Sequence, residues 1–98
     1  MRISDISALK NYFSLQPVVK VWLFGSFARG EETEDSDIDL LVDFDETRHP
    51  SLLKKASMIL DIENLLQRQV DLVTNGTLCP EIVPFVDKDK ILIYERGN

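Results

Sequence analysis

The chain has 98 residues, 44 % of them apolar and 29 % charged, with 17 acids against 11 bases for a net charge of −6. That size fits one domain over residues 1–98, burying roughly 60–65 % of its extended surface, and that composition excludes a disordered polymer. The acidic balance excludes general attraction to a phosphate backbone, so no direct nucleic-acid partner is expected.

The first residues, Met-Arg-Ile-Ser-Asp, lack the basic-then-apolar run of a leader. Residues 3–14 predict a helix, with Ser4 or Asp5 as cap and Ile3, Ile6, Leu9 and Phe13 at helical spacing. Pro17 ends that region. Val18 to Phe24 (VVKVWLF) reads as a strand too apolar to be an exposed edge, with Trp22 in the core or at an interface. Gly25 ends the strand, and Ser26 to Gly30 leaves room for only a turn or two of helix.

Glu31 to Ser36 is an unpatterned acidic loop, and Ile38 to Phe44 (IDLLVDF) is a second strand. His49 reads as loop surface, and Pro50 suits the first position of a helix over 50–67. Leu52, Leu53, Ala56, Ile59, Leu60 and Leu66 predict the stripe that covers the sheet, and Glu63 falls inside that stripe without a reason in the pattern.

Val70 to Thr74 (VDLVT) predicts a third strand, and Asn75-Gly76 a turn. Cys79, the single cysteine, excludes an intramolecular disulfide and a cysteine-based zinc site, and reads as a small apolar residue. A short helix over about 80–87 buries Ile82, Val83 and Val86, provided Pro84 lies in its first turn. Lys88-Asp89-Lys90 reads as a solvated turn, and Ile91 to Tyr94 as a last strand. No apolar run approaches a membrane span, so a cytoplasmic setting without membrane contact is expected.

The chemistry concentrates in three places. Asp37 and Asp39 lie two apart at the start of a strand, so both carboxylates point to one side, roughly 7 Å apart along the chain. Like charges held together cost stability unless a cation sits between them, and converging carboxylate oxygens suit Mg²⁺. Asp71 stands among apolar neighbours in the third strand. If that strand pairs beside the second, three carboxylates converge, enough for two metal ions.

Facing them, Gly25 permits close backbone approach to a phosphate, Ser26 offers a hydroxyl, and Arg29 can reach phosphate or clamp the acidic loop. A lone Gly-Ser is most often a turn, and a lone Asp-Ile-Asp most often a solvated edge. The weight lies in their order along the chain.

That order resembles the minimal nucleotidyltransferases (MNT domains) of prokaryotes, a compact branch of the DNA polymerase beta-like superfamily. Gly25-Ser26, Ala28-Arg29-Gly30, Ser36-Asp37-Ile38-Asp39-Leu40 and Asp71 carry the resemblance, which spans roughly residues 18–74. It implies a small mixed α/β sheet flanked by helices. It implies nucleotide binding at Gly25, Ser26 and Arg29, and metal binding and catalysis at Asp37, Asp39 and Asp71. The cofactor would be Mg²⁺, two ions during catalysis, with ATP as substrate.

Many small members are encoded beside a HEPN-domain toxin that they neutralise by attaching AMP, by binding, or both. The resemblance therefore implies AMP transfer to a hydroxyl of such a partner. The acidic surface suits a partner with basic patches, and so small a chain borrows pocket wall from a homo- or hetero-oligomer. Two alternatives stand beside this: an antitoxin acting by stoichiometric binding alone, and transfer to a small molecule.

Overall fold

The computed structural model describes residues 1–97. Its elements run α1 (Ile3–Phe13), β1 (Val18–Phe24), α2 (Ser26–Arg29), β2 (Ile38–Phe44), a 3₁₀ turn over Glu46–Arg48, α3 (Leu52–Leu66), β3 (Val70–Thr74), α4 (Val83–Asp89) and β4 (Ile91–Glu95). The four strands form one mixed sheet in the order β3-β2-β1-β4. β1 is antiparallel to both its neighbours, whereas β2 and β3 run parallel, joined by the crossover helix α3 that parallel pairing requires.

Apolar alternation decides the layers. Ile38, Leu40, Val42 and Phe44 of β2 and Val21 and Leu23 of β1 are buried on one face, with Leu9 and Phe13 of α1 and Met58 and Ile62 of α3. The two helices are tied where the Tyr12 hydroxyl donates to Asp61 at 2.8 Å. Burial, and then that contact, push the Tyr12 phenol above its ordinary range. The opposite face carries Asp39, Leu41 and Asp43, the alternate residues of β2. The end of α4 lies on this second face, with Lys90 Nζ 4.8 Å above the Trp22 ring.

Several expectations are corrected. Arg2 is the N-cap of α1 and no side chain caps it; Asp5 sits in the first turn, where a carboxylate offsets the helix dipole. Pro50 precedes α3, whose cap is Ser51, accepting from the Lys54 amide at 3.1 Å. The larger correction is the buried stripe of α3. Met58 and Ile62 face the core, while Leu52 and Leu53 are 84 % and 82 % exposed and Ala56 and Leu60 also face outward.

Leucines occur all round this helix, so spacing alone did not fix its rotation. Lys55 hid the true face: its stem lies inward, its ammonium 4.9 Å over the Phe44 ring and bonded to Thr74 Oγ1 at 3.3 Å. Cys79 and Ile82 are exposed, because α4 begins only at Val83 with Pro84 in its first turn. Lys88, Asp89 and Lys90 are no free turn. Asp89 pairs with Arg29, and Lys90 with Asp87.

Candidate active site

Asp39 and Asp71 are Cα partners in the parallel ladder between β2 and β3. Residues in register share a face and stand one strand spacing apart, roughly 4.8 Å. The parallel crossover through α3 is what sets that register. Glu63 helps hold it. Its carboxylate accepts from the Val70 amide at 3.0 Å, anchoring the first residue of β3 immediately before Asp71. The acid that the stripe left unexplained therefore fixes an edge strand.

Asp37 lies just ahead of β2, exposed, one residue before Ile38. The Ile38 amide donates to the Gln69 carbonyl at 2.9 Å, so backbone pairing between the Asp37–Asp39 pair and the approach to Asp71 begins there. Asp39 is half-buried, and its carboxyl is raised above the ordinary range by burial first, then by the charges of Asp71 and Asp37. Arg29 opposes that rise from a distance. No hydrogen-bond donor to Asp39 is found among the described residues; what surrounds it is mostly negative.

Gly25 closes this acid pocket from the β1 side. Phe24 pairs with Asp39 across the sheet, and the next residue turns at φ 74°, ψ −153°, a region open essentially to glycine alone. A Cβ there would collide with Oδ2 of Asp39 and lie 3.0 Å from its Cγ. The glycine is required by the carboxylate beside it as well as by the turn.

Ser26 begins α2, and the Ala28 and Arg29 amides already donate to the Gly25 carbonyl. The Ser26 and Phe27 amides fall in the first turn, where a helix supplies no carbonyl. Arg29 is committed elsewhere: its Nε donates to Glu31 at 2.7 Å and its Nη1 to Asp89 at 3.4 Å. Of the two roles open to it, this structure has the clamp on the acidic loop.

Among the described residues no group of three or more His, Cys, Asp or Glu side chains closes on a single point as a metal cage. The donor set is nonetheless all-carboxylate, held against its own repulsion. Mg²⁺ is ordinarily held by one or two carboxylates with water and substrate phosphates completing the shell. Asp39 and Asp71 in register fit that partial seat. A cavity of about 310 Å³ is lined by Glu34 to Asp37 and Gln67 to Gln69, at the rim of the acids.

The model of the nucleotidyltransferase domain matches residues 6–93. The chain belongs to the nucleotidyltransferase family. Protein adenylyltransferase MntA of Thermococcus cleftensis is 42 % identical over 76 residues, covering 78 % of this chain and 75 % of that relative. Among solved structures, a toxin–antitoxin with AMP-PNP aligns with TM-score 0.77 at 17 % identity, over 94 % of this chain and 74 % of the other. An MNT antitoxin in complex with tri-AMPylated HEPN toxin from Shewanella oneidensis aligns with TM-score 0.72 at 15 % identity, over 98 % and 74 %. A solved minimal nucleotidyltransferase aligns with TM-score 0.64 at 38 % identity, over 90 % of this chain and 85 % of the other, and this nucleotidyltransferase has the fold of those minimal members, with Gly25-Ser26 and the paired aspartates at one end of its strands.

Sequence reasoning missed Arg68 and met Glu63 only as an anomaly. Arg68 and Glu63 act through contacts with residues distant in sequence or outside any periodic pattern.

Proposed function

We propose that this nucleotidyltransferase moves AMP from MgATP to a hydroxyl of a partner protein, and that the partner is a HEPN-domain toxin neutralised by the transfer. The observation that carries the reading is the in-register pair Asp39 and Asp71, without a hydrogen-bond donor among the described residues and set against the Gly25-Ser26 turn. The relative named a protein adenylyltransferase supports AMP as the group moved. The HEPN partner rests on the fold shared with the antitoxin complexes.

Each residue has a task in this reading. Gly25 lets the backbone approach the triphosphate, and the Ser26 hydroxyl and first-turn amides donate to its oxygens. Asp37 and Asp39 with Asp71 would hold Mg²⁺, two ions during transfer, which when bound offset phosphate charge and acidify the acceptor hydroxyl. Asp71 orients that hydroxyl and receives its proton. The acceptor oxygen bonds to the α-phosphorus as the bond to pyrophosphate breaks, leaving AMP esterified to the partner.

Arg29 exchanges Glu31 or Asp89 for phosphate when nucleotide enters. The open acid face suits a protein acceptor, because a partner's surface supplies the missing wall and excludes water.

The test is incubation with α-labelled ATP, Mg²⁺ and a purified HEPN-domain toxin. Label should appear on that protein and disappear with Asp39→Ala. Labelling unchanged in Asp39→Ala sinks the mechanism. Full neutralisation of the toxin by an Asp37→Ala, Asp39→Ala double variant would instead favour stoichiometric binding.

A further inference from the structure

Arg68 lies in the short link between α3 and β3, outside every motif the family resemblance uses. Its Nη1 donates toward three carbonyl oxygens of the acidic loop: Thr33 at 3.2 Å, Glu34 at 3.1 Å and Ser36 at 2.9 Å. Its guanidinium carbon sits 5.0 Å over the ring of Phe27, in α2. One residue further, the Gln69 carbonyl takes the Ile38 amide.

A single half-buried side chain therefore touches the loop that ends at Asp37 and the helix that begins at Ser26, and is itself three residues from Asp71. The backbone is bent to aim it there. Gln67, the residue before, is left-handed at φ 56°, the only non-glycine with positive φ among the described residues. That conformation is uncommon outside glycine and turns the chain from α3 toward the loop.

Arg29 and the N-terminal ammonium pair with Glu31 and Glu32 at the start of the loop, and Arg68 grips the half that leads to Asp37. Ser36 and Thr33 close a local turn through the Thr33 amide to Ser36 Oγ at 2.8 Å and the Ser36 amide to Thr33 O at 3.2 Å. Nothing in that turn fixes its distance from β3. Three carbonyls converging on one point beside two like-charged aspartates also concentrate negative charge, which a guanidinium offsets while its flat face stacks on Phe27.

We infer that Arg68 is the positioning residue of the site, setting Asp37 against Asp39 and Asp71 and locking that arrangement to the Ser26 helix. This deepens the proposed function and rests on it for the ion that the acids hold. The contacts of Arg68 are with the loop carbonyls and Phe27. Its effect passes through the loop to Asp37, so its loss weakens cation binding and turnover while the fold survives.

The experiment pairs two readouts on wild type, Arg68→Ala and Arg68→Lys. Mn²⁺ affinity is measured by water-proton relaxation with α,β-methylene ATP present, and amide exchange is followed peptide by peptide. In Arg68→Ala the Mn²⁺ dissociation constant should rise at least tenfold and exchange over residues 33–37 should accelerate at least tenfold. Exchange in α1 and β1 should stay at the wild-type rate. Arg68→Lys, which keeps the charge but not the planar fork, should fall between.

Wild-type Mn²⁺ affinity in a folded Arg68→Ala protein overturns the positioning role. So does acceleration spread evenly over the molecule, because Arg68 would then be a general stabiliser. If wild type itself binds no Mn²⁺ with nucleotide, the proposed function fails, and unchanged exchange at 33–37 would separately overturn the role of Arg68.

Discussion

The two ends of β2 each carry an aspartate, and the molecule treats them in opposite ways. Asp45, one residue past the strand, is 8 % exposed and fully answered. It accepts from the Thr47 hydroxyl at 2.6 Å, the Thr47 amide at 2.9 Å and Arg96 Nη1 at 2.7 Å. Those donors, the Thr47 hydroxyl foremost and then Arg96, hold its carboxyl well below the usual carboxylate range. Asp39, at the other end, is half-buried beside Asp71 and Asp37 and is pushed up instead. A buried acid with donors is a structural joint, here tying the 3₁₀ turn to the chain after β4. A half-buried acid among exposed ones is a place prepared for a cation.

The comparison breaks most sharply on activity. Asp39→Asn should lower AMP transfer on the order of a thousandfold, whereas Asp45→Asn should leave the rate per folded molecule near wild type. Quantitative labelling of the partner, normalised to folded protein by circular dichroism, checks both. Equal losses in the two variants would erase the distinction.

Gly25→Ala sharpens it by intruding on the functional end alone. The backbone conformation costs about 1–3 kcal/mol for a residue with a Cβ, before the collision with Asp39 is counted. Denaturant unfolding should show at least that loss, together with lost nucleotide affinity. A stable, active Gly25→Ala protein would mean that Asp39 does not hold the position described.

The smallest expected effect is in the pH dependence of stability, and its sign differs at the two ends. Asp39 has a raised carboxyl, so the folded state binds its proton more tightly than the unfolded chain. Its ionisation therefore removes stability as pH climbs from about 4 through the raised value. Asp45 is depressed, so its stabilisation is complete above about 4 and is lost as pH falls toward its folded value. Melting in chelator should then find Asp39→Asn more stable than wild type at pH 7, with the gap closing near pH 4. For Asp45→Asn the deficit should be largest at pH 7 and shrink on acidification. Adding Mg²⁺ with ATP should raise the wild-type melting temperature and leave Asp39→Asn unmoved.

The same contrast explains how much could be read from the sequence. All four strands were legible, because each is a short β-branched run bounded by glycine, proline or acidic loop. The Asp39–Asp71 juxtaposition followed from a parallel pairing that the intervening helix made natural. The motif residues Gly25, Ser26 and Arg29 were legible as a set, although the ion pairs of Arg29 with Glu31 and Asp89 were not.

What escaped was rotation and reach. The leucines of α3 lie on both its sides, so Leu52, Leu53 and Leu60 were assigned to a core that Met58 and Ile62 in fact fill. Asp45 and Arg96 meet across 51 residues, and Arg68 and the loop across more than 30. Such contacts leave no periodic trace in a single chain. Glu63 was visible as an anomaly, and its meaning became clear only once the Val70 amide stood beside it.

The account turns on Asp39 and Asp71 sharing one cation. Crystals grown with Mn²⁺ and α,β-methylene ATP, with diffraction recorded at the manganese edge, test this most directly. The account predicts an anomalous peak within coordination distance of both carboxylates and of the α-phosphate, on the face away from α1 and α3. Manganese found only elsewhere, with nucleotide bound and the two aspartates unligated, would contradict it.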